Sequence, residues 1–491
     1  MKTSIKMILL NTLLLIGINS PVLLAKEQFD TKIIEKAKKS VVTINGQASL
    51  KAYEPFSNSW SGTGFIINKA KGYILTNAHI AGGAIIGTYH LFFHNGSRAD
   101  AKLLYYDPWL DYAFMQIDPT LIPADATEIK ITAKNPVMDQ PVFIIGNNEG
   151  KSFSIHTGTI TGLYEIQGAM PQHSIRLSLN TKGGSSGSPV INQQGEAIAL
   201  NYGGSDTFGI GLHPAYLRYA IDFIKKAKVP TRKHMGAFTE TYSLNEAVKY
   251  RKFTINELQA YNKKFPEALG NAIQVSRTLV GSPADGKLMA GDIIWTVNKQ
   301  LIGPRLSELD LTMNNSNSDT VVLGIYRSGE FQEITLPLYN LEDHKVKQMV
   351  SFGGTLFFKV DDSFSEKTGI PANTLTFSLI QGSNTFDNVF PYILTDYGKQ
   401  VILKLLAFDK TPIVSFEQLI EAIPTFIQQK YFTISYINYL PYRPPFGSWW
   451  YNIGTNYYVA DVNYDVNTPE PKIFTFDEKE MEWKSSPILT K

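Results

Sequence analysis

The sequence predicts a mainly β protein: two small antiparallel barrels followed by two further β-rich units. Three observations predict it. Between Val41 and Asn201, short β-favouring runs recur with Gly, Asn or Pro between them, the pattern of strands joined by turns rather than of a parallel sheet. Tyr and Phe number 25 and 28 in 491 residues, and both favour strands. Finally, Thr76-Asn77-Ala78-His79, Asp111-Tyr112-Ala113 and Gly184-Ser185-Ser186-Gly187-Ser188-Pro189 stand in one order. Asp111 follows His79 by 32 positions and Ser186 follows Asp111 by 75, spacings that suit two barrels with a site between them.

Taken in order, residues 1–25 read as a secretory signal peptide. Lys2 and Lys6 are basic, Met7 to Ile18 is apolar apart from Asn11 and Thr12, and Ala25 offers a small cleavage residue. The apolar core is short for a bilayer span; an uncleaved anchor is the alternative. Export to the bacterial periplasm, or secretion beyond it, is expected. With no cysteine there is no disulfide or thiolate, so the cores alone must hold the exported chain. Net charge of +2, 43% apolar and 18% charged residues are ordinary and give no reason to expect nucleic acid.

Residues 29–39 suggest an amphipathic helix with Ile33, Ile34 and Ala37 on one face. Strands are expected at 41–44, 64–67, 73–76, 90–93, 112–117, 141–145, 158–163, 174–179, 189–191 and 197–201, and a closing helix at Pro214 to Lys228. Val229 to Lys233 reads as a linker. A chain of this length exceeds one core. The expected division is a first unit at 26–229, a second at 230–340, a looser third at 341–440 with a helix at Ser415 to Ile423, and an aromatic extension at 441–491.

The three phrases supply a base, an orienting acid and a nucleophile. A serine hydroxyl is weak until an imidazole takes its proton, and the imidazole needs a buried carboxylate to fix its tautomer. His79 is the expected base. Asp111 is the expected acid, because the apolar strand after it would bury the carboxylate. Asp107, beside Pro108, is the better turn residue. Ser186 holds the third position of the Gly-rich loop and is the expected nucleophile; Ser185 and Ser188 are not. The glycines allow backbone N–H groups to face a developing oxyanion, here those of Gly184 and Ser186, with Ser185 shaping the loop. The order His, Asp, Ser is the chymotrypsin-type order. Neither a phosphate-binding loop nor a clustered His/Glu ligand set occurs, so no cofactor or metal is expected.

The run from Gly62-Thr63-Gly64-Phe65-Ile66-Ile67 to Thr76-Asn77-Ala78-His79 resembles the HtrA (DegP-like) family, and Gly183 to Pro189 resembles the nucleophile loop of chymotrypsin-like proteases. Gly183 to Val190, Lys264-Phe265-Pro266-Glu267 and Gly353 to Phe357 look closer to the fungal nuclear HtrA-like branch, which doubles the arrangement that this chain carries once.

The resemblance implies a chymotrypsin-like double β-barrel, then a PDZ domain and a degenerate PDZ-like domain. It implies an ATP-independent serine endopeptidase acting on misfolded or specific proteins, and trimers as the usual assembly. Leu200, Asn201 and Tyr202 would pair with substrate backbone. Gly281-Ser282-Pro283-Ala284 to Gly291-Asp292-Ile293-Ile294 resembles a PDZ domain. Its peptide-binding loop would comprise Met235, Gly236, Ala237 and Phe238 and take peptide C-termini, helped by Arg232 or Lys233, with a groove helix near Leu306 to Met313. The P1 preference implied is small or medium aliphatic, since no acid is assignable to the pocket floor. The alternative is a proteolytically inert PDZ-bearing chaperone or scaffold.

Overall fold

A computed structural model describes residues 29–51, 59–82, 84–167, 170–368, 370–379, 385–386, 403–442 and 451–488. The expected signal peptide, and Trp449 and Trp450 of the aromatic tail, lie outside the described residues.

Helix α1 (Thr31–Ser40) starts where Asp30 accepts the Lys32 N–H at 2.8 Å, and it buries Ile34 and Ala37. It feeds the first barrel: β1 (Val41–Lys51), β2 (Ser59–Asn68), β3 (Tyr73–Thr76), β4 (Ala84–Phe92), β5 (Arg98–Asp107) and β6 (Tyr112–Ile117), closed in the order β1-β2-β3-β6-β5-β4. The one-turn helix α2 (Ala78–Ala81) leaves the end of β3. The second barrel contains β7 (Pro141–Asn148), β8 (Lys151–Gln167), β9 (Met170–Leu177), β10 (Pro189–Ile191), β11 (Ala197–Gly204) and β12 (Gly209–Leu212), closed as β10-β11-β12-β9-β8-β7. Two closed six-stranded barrels form the chymotrypsin-like double barrel that the sequence predicted, and closure leaves neither with a free edge.

The barrels share a core. Phe65, Leu75 and Phe114 of the first belong to one buried cluster with Phe143, Ile145 and Leu200 of the second. Helix α3 (Pro214–Ile224) adds Tyr216, Leu217 and Ala220 to it and ends four residues short of the expected Lys228.

Beyond the barrels, β13 (Lys233–His234) pairs with a late strand, β20 (Tyr339–Asn340). Between them β14 (Ala237–Ser243), β15 (Asn271–Thr278), β16 (Ile293–Val297), β18 (Thr320–Arg327) and β19 (Glu330–Pro337) form one sheet, with β17 (Gln300–Leu301) paired to β16. Helices α4 (Leu244–Tyr250), α5 (Ile255–Lys264) and α6 (Leu306–Asn315) accompany it. Leu306, Leu309 and Met313 of α6 pack with Met235, Ala237 and Val275, and Ile166 of the second barrel packs against the same cluster.

The last sheet comprises β21 (Gln348–Phe352), β22 (Thr355–Lys359), β23 (Leu375–Leu379), β24 (Leu403–Phe408), β25 (Thr411–Pro412), β26 (Tyr431–Tyr442), β27 (Tyr451–Asn463), β28 (Lys472–Asp477) and β29 (Glu482–Pro487). Helices α7 (Asp362–Thr368) and α8 (Phe416–Gln429) complete the unit. The boundary expected at 440 falls inside β26, which pairs with β27 along its length. β28 returns to pair with β21. The tail therefore supplies three strands of this sheet. Helix α8 runs past the expected end at Ile423 and through Pro424, because Leu419, Ile423 and Phe426 continue one buried face.

Candidate active site

On the first-barrel side, α2 after β3 carries His79 and the β5–β6 turn carries Asp111. Asp111 adopts a left-handed backbone conformation, φ 55°, which Asp tolerates better than most residues. Its carbonyl accepts the Asn77 Nδ2–H at 2.7 Å. Both carboxylate oxygens face His79. Oδ1 accepts the backbone N–H at 2.9 Å, and Oδ2 lies 2.8 Å from Nδ1. The Asp111 side chain is 2% exposed and that of His79 33%, so an imidazole at the cleft surface is backed by a buried carboxylate. With Nδ1 carrying its proton towards Oδ2, Nε2 is left as the proton acceptor.

Ser186 lies half-buried on a loop between the barrels. Its carbonyl accepts the Thr63 N–H of β2 at 2.8 Å, and the next N–H, of Gly187, donates to Asn201 O at 2.8 Å. Thr63 is the joint between the two halves. Its carbonyl accepts Thr76 Oγ1–H at 2.7 Å. Its hydroxyl donates to Gly184 O at 2.9 Å and accepts the Asn147 N–H at 2.9 Å. A side chain at Gly187 is barred, since a Cβ there would sit 1.9 Å from Thr63 O.

Ser185 closes the turn. Its N–H and hydroxyl both donate to Lys182 O, at 3.0 and 2.6 Å, and its carbonyl accepts Asn201 Nδ2–H at 3.0 Å. Its N–H is thus spent on the loop. The N–H groups of Gly184 and Ser186 have no acceptor among the described residues, so two donors are left for an anion.

Of the expected substrate strand, Leu200 is buried and Asn201 is committed to the Ser186 loop. Pairing with β10 stops at Leu200, while pairing with β12 runs on to Gly204 with a shift in register between Asn201 and Gly203. Tyr202 sits at that shift, its hydroxyl 2.8 Å from Ser174 Oγ. Of the expected peptide loop, Met235, Ala237 and Phe238 are buried and Gly236 takes φ 83°. The Gly236 N–H donates to His234 Nδ1 at 3.0 Å.

Arg232 does not face that loop. It is buried, with Nε 2.6 Å from Asp107 Oδ2. Lys233 Nζ is likewise engaged, by Ser316 O, Ser318 O and Asp319. Thr63, Asn77 and Asn147 had no assigned site role in the sequence, and Arg232 had been assigned to the peptide loop rather than to Asp107. For Thr63 the signal was its place between two glycines, and for Asn77 its place two residues before His79. Among the described residues no cluster of three metal-ligating groups occurs.

The two closed barrels, with His79 and Asp111 paired on the first, define a chymotrypsin-like double-barrel fold. Residues 62–200 match the trypsin-like peptidase domain family. The pro-apoptotic serine protease NMA111 of Ajellomyces capsulatus is 27% identical over 419 residues, covering 82% of this chain and 39% of the relative. That of Aspergillus oryzae is 28% identical over 419 residues, with the same shares. The chain thus spans about two-fifths of the length of these relatives. A solved HtrA-type protease, AlgW with a tripeptide, aligns over 63% of this chain and 96% of its own at 19% identity and a TM-score of 0.46. Residues 62–200 thus carry a trypsin-like peptidase domain, and the chain is similar over most of its length to these fungal serine proteases.

Proposed function

We propose that the chain is an ATP-independent serine endopeptidase of HtrA type, with His79, Asp111 and Ser186 as its triad. The observation that carries this reading is the Asp111 carboxylate, buried and spending both oxygens on His79, beside a loop with two unspent N–H donors. Ser186 Oγ attacks the scissile carbonyl carbon while His79 Nε2 takes its proton, and Asp111 stabilises the imidazolium. The Gly184 and Ser186 N–H groups hold the oxyanion. His79 then protonates the leaving amine, and water, deprotonated by His79, releases the acyl group from Ser186. On the side of β11 where pairing with β10 ends at Leu200, Tyr202 and the two glycines after it would receive substrate backbone.

Misfolded or specific proteins are the proposed substrates. In this reading the first sheet beyond the barrels is a PDZ domain and the last a degenerate PDZ-like unit. Export rests on the basic and apolar character of residues 1–25; among the described residues no helix is long and apolar enough to cross a membrane.

Hydrolysis of unfolded casein by the purified protein and by Ser186→Ala tests the assignment. Cleavage by the first alone is expected. Retained cleavage by the variant overturns the nucleophile, and no cleavage by either favours the inert scaffold. Gly184→Ala probes the anion site. At φ 93°, its Cβ would lie 2.0 Å from Asn147 O, so the loop must shift and the donor with it. A loss of roughly 10²–10³ in kcat is expected, read as initial rates on a casein-derived fluorogenic peptide.

A further inference from the structure

The turn that aims Asp111 is held from outside the barrels. Asp107 begins it, and its Oδ1 accepts the N–H groups of Trp109 and Leu110 at 2.9 and 2.8 Å. Its other oxygen, Oδ2, lies 2.6 Å from Arg232 Nε, and both side chains are at most 4% exposed. Arg232 is itself fixed by the units that follow: its N–H donates to Asn340 Oδ1 at 3.2 Å and its carbonyl accepts the Leu341 N–H at 2.8 Å. The middle of the turn is gripped as well. The Trp109 ring stacks on Phe238 at 5.4 Å and 14° and lies 4.6 Å from the His234 ring. Arg277 covers Phe238 at 3.9 Å. Ser363 Oγ donates to Pro108 O at 3.0 Å, and Lys345 Nζ to Tyr106 O at 2.5 Å.

A buried ion pair adds little net stability beyond an apolar pair of the same size, yet losing one partner strands a charge. What such a pair fixes is direction. The Asp107 carboxylate has one oxygen bonded by two backbone N–H groups and the other held against the guanidinium charge, so turning it gives up both contacts. The turn it holds ends four residues later at Asp111, whose oxygens must meet two donors of His79 at once. The guanidinium is also within electrostatic reach of Asp310 on α6, of Tyr105 and of Tyr112. It therefore lies between the turn and the first sheet beyond the barrels.

We propose that Arg232 is a positioning residue. Acting through Asp107, it sets the turn that points Asp111 at His79, so the segment after the barrels completes the triad. The proposal rests on the reading of His79, Asp111 and Ser186 given above.

The test uses the full chain and its Arg232→Gln and Arg232→Lys variants. It reads kcat and KM separately on a casein-derived fluorogenic peptide. It also reads the low-field imidazole N–H proton resonance of His79, recorded in a Ser186→Ala background where no turnover is needed. Arg232→Gln is expected to lower kcat roughly 10- to 100-fold with KM little changed, and to broaden or shift that resonance. Arg232→Lys keeps the charge without the planar guanidinium, and it is expected to lose several-fold in kcat with the same signature. If the Gln variant does not fold, the Lys variant decides on the same readouts. Wild-type kcat and an unmoved resonance in a folded variant overturn the proposal. A wild-type protein that cleaves nothing overturns the triad reading instead, while the resonance still reports on Arg232.

Discussion

Replacing Asp111 by Asn is expected to lower kcat by roughly 10⁴-fold while the fold stays intact. Asparagine is at ease in the left-handed conformation that residue 111 adopts, and the backbone bond from Asn77 to its carbonyl survives. The damage is to the proton count. The carboxylate now accepts from two donors of His79, the backbone N–H and Nδ1–H. An amide has one acceptor and one donor end. The backbone N–H cannot change its nature, so the amide oxygen must stay on it and the NH₂ must face Nδ1. Nδ1 then has to accept, the ring proton moves to Nε2, and the base can no longer take the proton of Ser186. The check is kcat and KM on the fluorogenic peptide, with the melting midpoint measured alongside. A loss below about tenfold, with the midpoint unchanged, would mean that Asp111 does not set the tautomer.

Acidification from pH 6 to pH 5 is expected to destabilise the protein by roughly 3 kcal/mol. Burial pushes His173 down to about 4 and His234 down to about 3. Burial, with the neighbouring His173, also holds His213 well below its ordinary value. His173 and His213 stack at 4.2 Å. His173 meets Ser307 Oγ of α6 at 2.7 Å through Nδ1 and Leu163 O at 2.8 Å through Nε2.

Folded, all three imidazoles stay neutral; unfolded, they take up protons below about 6.5. Their contribution is therefore complete above that pH and is lost as pH falls, at about 1.4 kcal/mol per unit for each group. Asp310 opposes them. Burial raises its carboxyl to about 6, so the folded form gains a proton first and recovers stability as pH falls through 6. His156, half-buried and also lowered by burial, adds to the loss. The three buried imidazoles against Asp310 leave a net loss of at least about two groups' worth. His344, raised by its bond to Asp362, acts above this window and does not alter the slope. Thermal melts at the two pH values measure it, and a midpoint at pH 5 equal to or above that at pH 6 contradicts the argument.

The barrels and the pieces of the candidate site were legible because their signals are local. Each strand carries its own alternation and turns. Each site residue sits in a phrase of a few residues whose chemistry is self-contained: an acid before an apolar strand, a serine among glycines. Arg232 was not legible, because its partner lies 125 positions earlier and neither sequence context marks an ion pair. Asp107 was readable only as a turn former, which is half of what it does. The tail failed for a related reason. β28 pairs with β21 across more than a hundred residues, and nothing within 472–477 names that partner. Local periodicity says that a segment is a strand, not which sheet receives it.

The grip on the Asp107–Asp111 turn also has a consequence for the order in which the molecule comes into being. The bond from Lys345 to Tyr106 spans 239 positions, and that from Ser363 to Pro108 spans 255. The Phe476 ring meets Tyr106 edge-on at 6.3 Å from farther still. Contacts so distant must wait for long loops to close. Both barrels can pair their strands and bury their shared core while the turn beside His79 still lacks most of its supports. During folding the barrels can thus be formed before the turn that carries Asp111 is held.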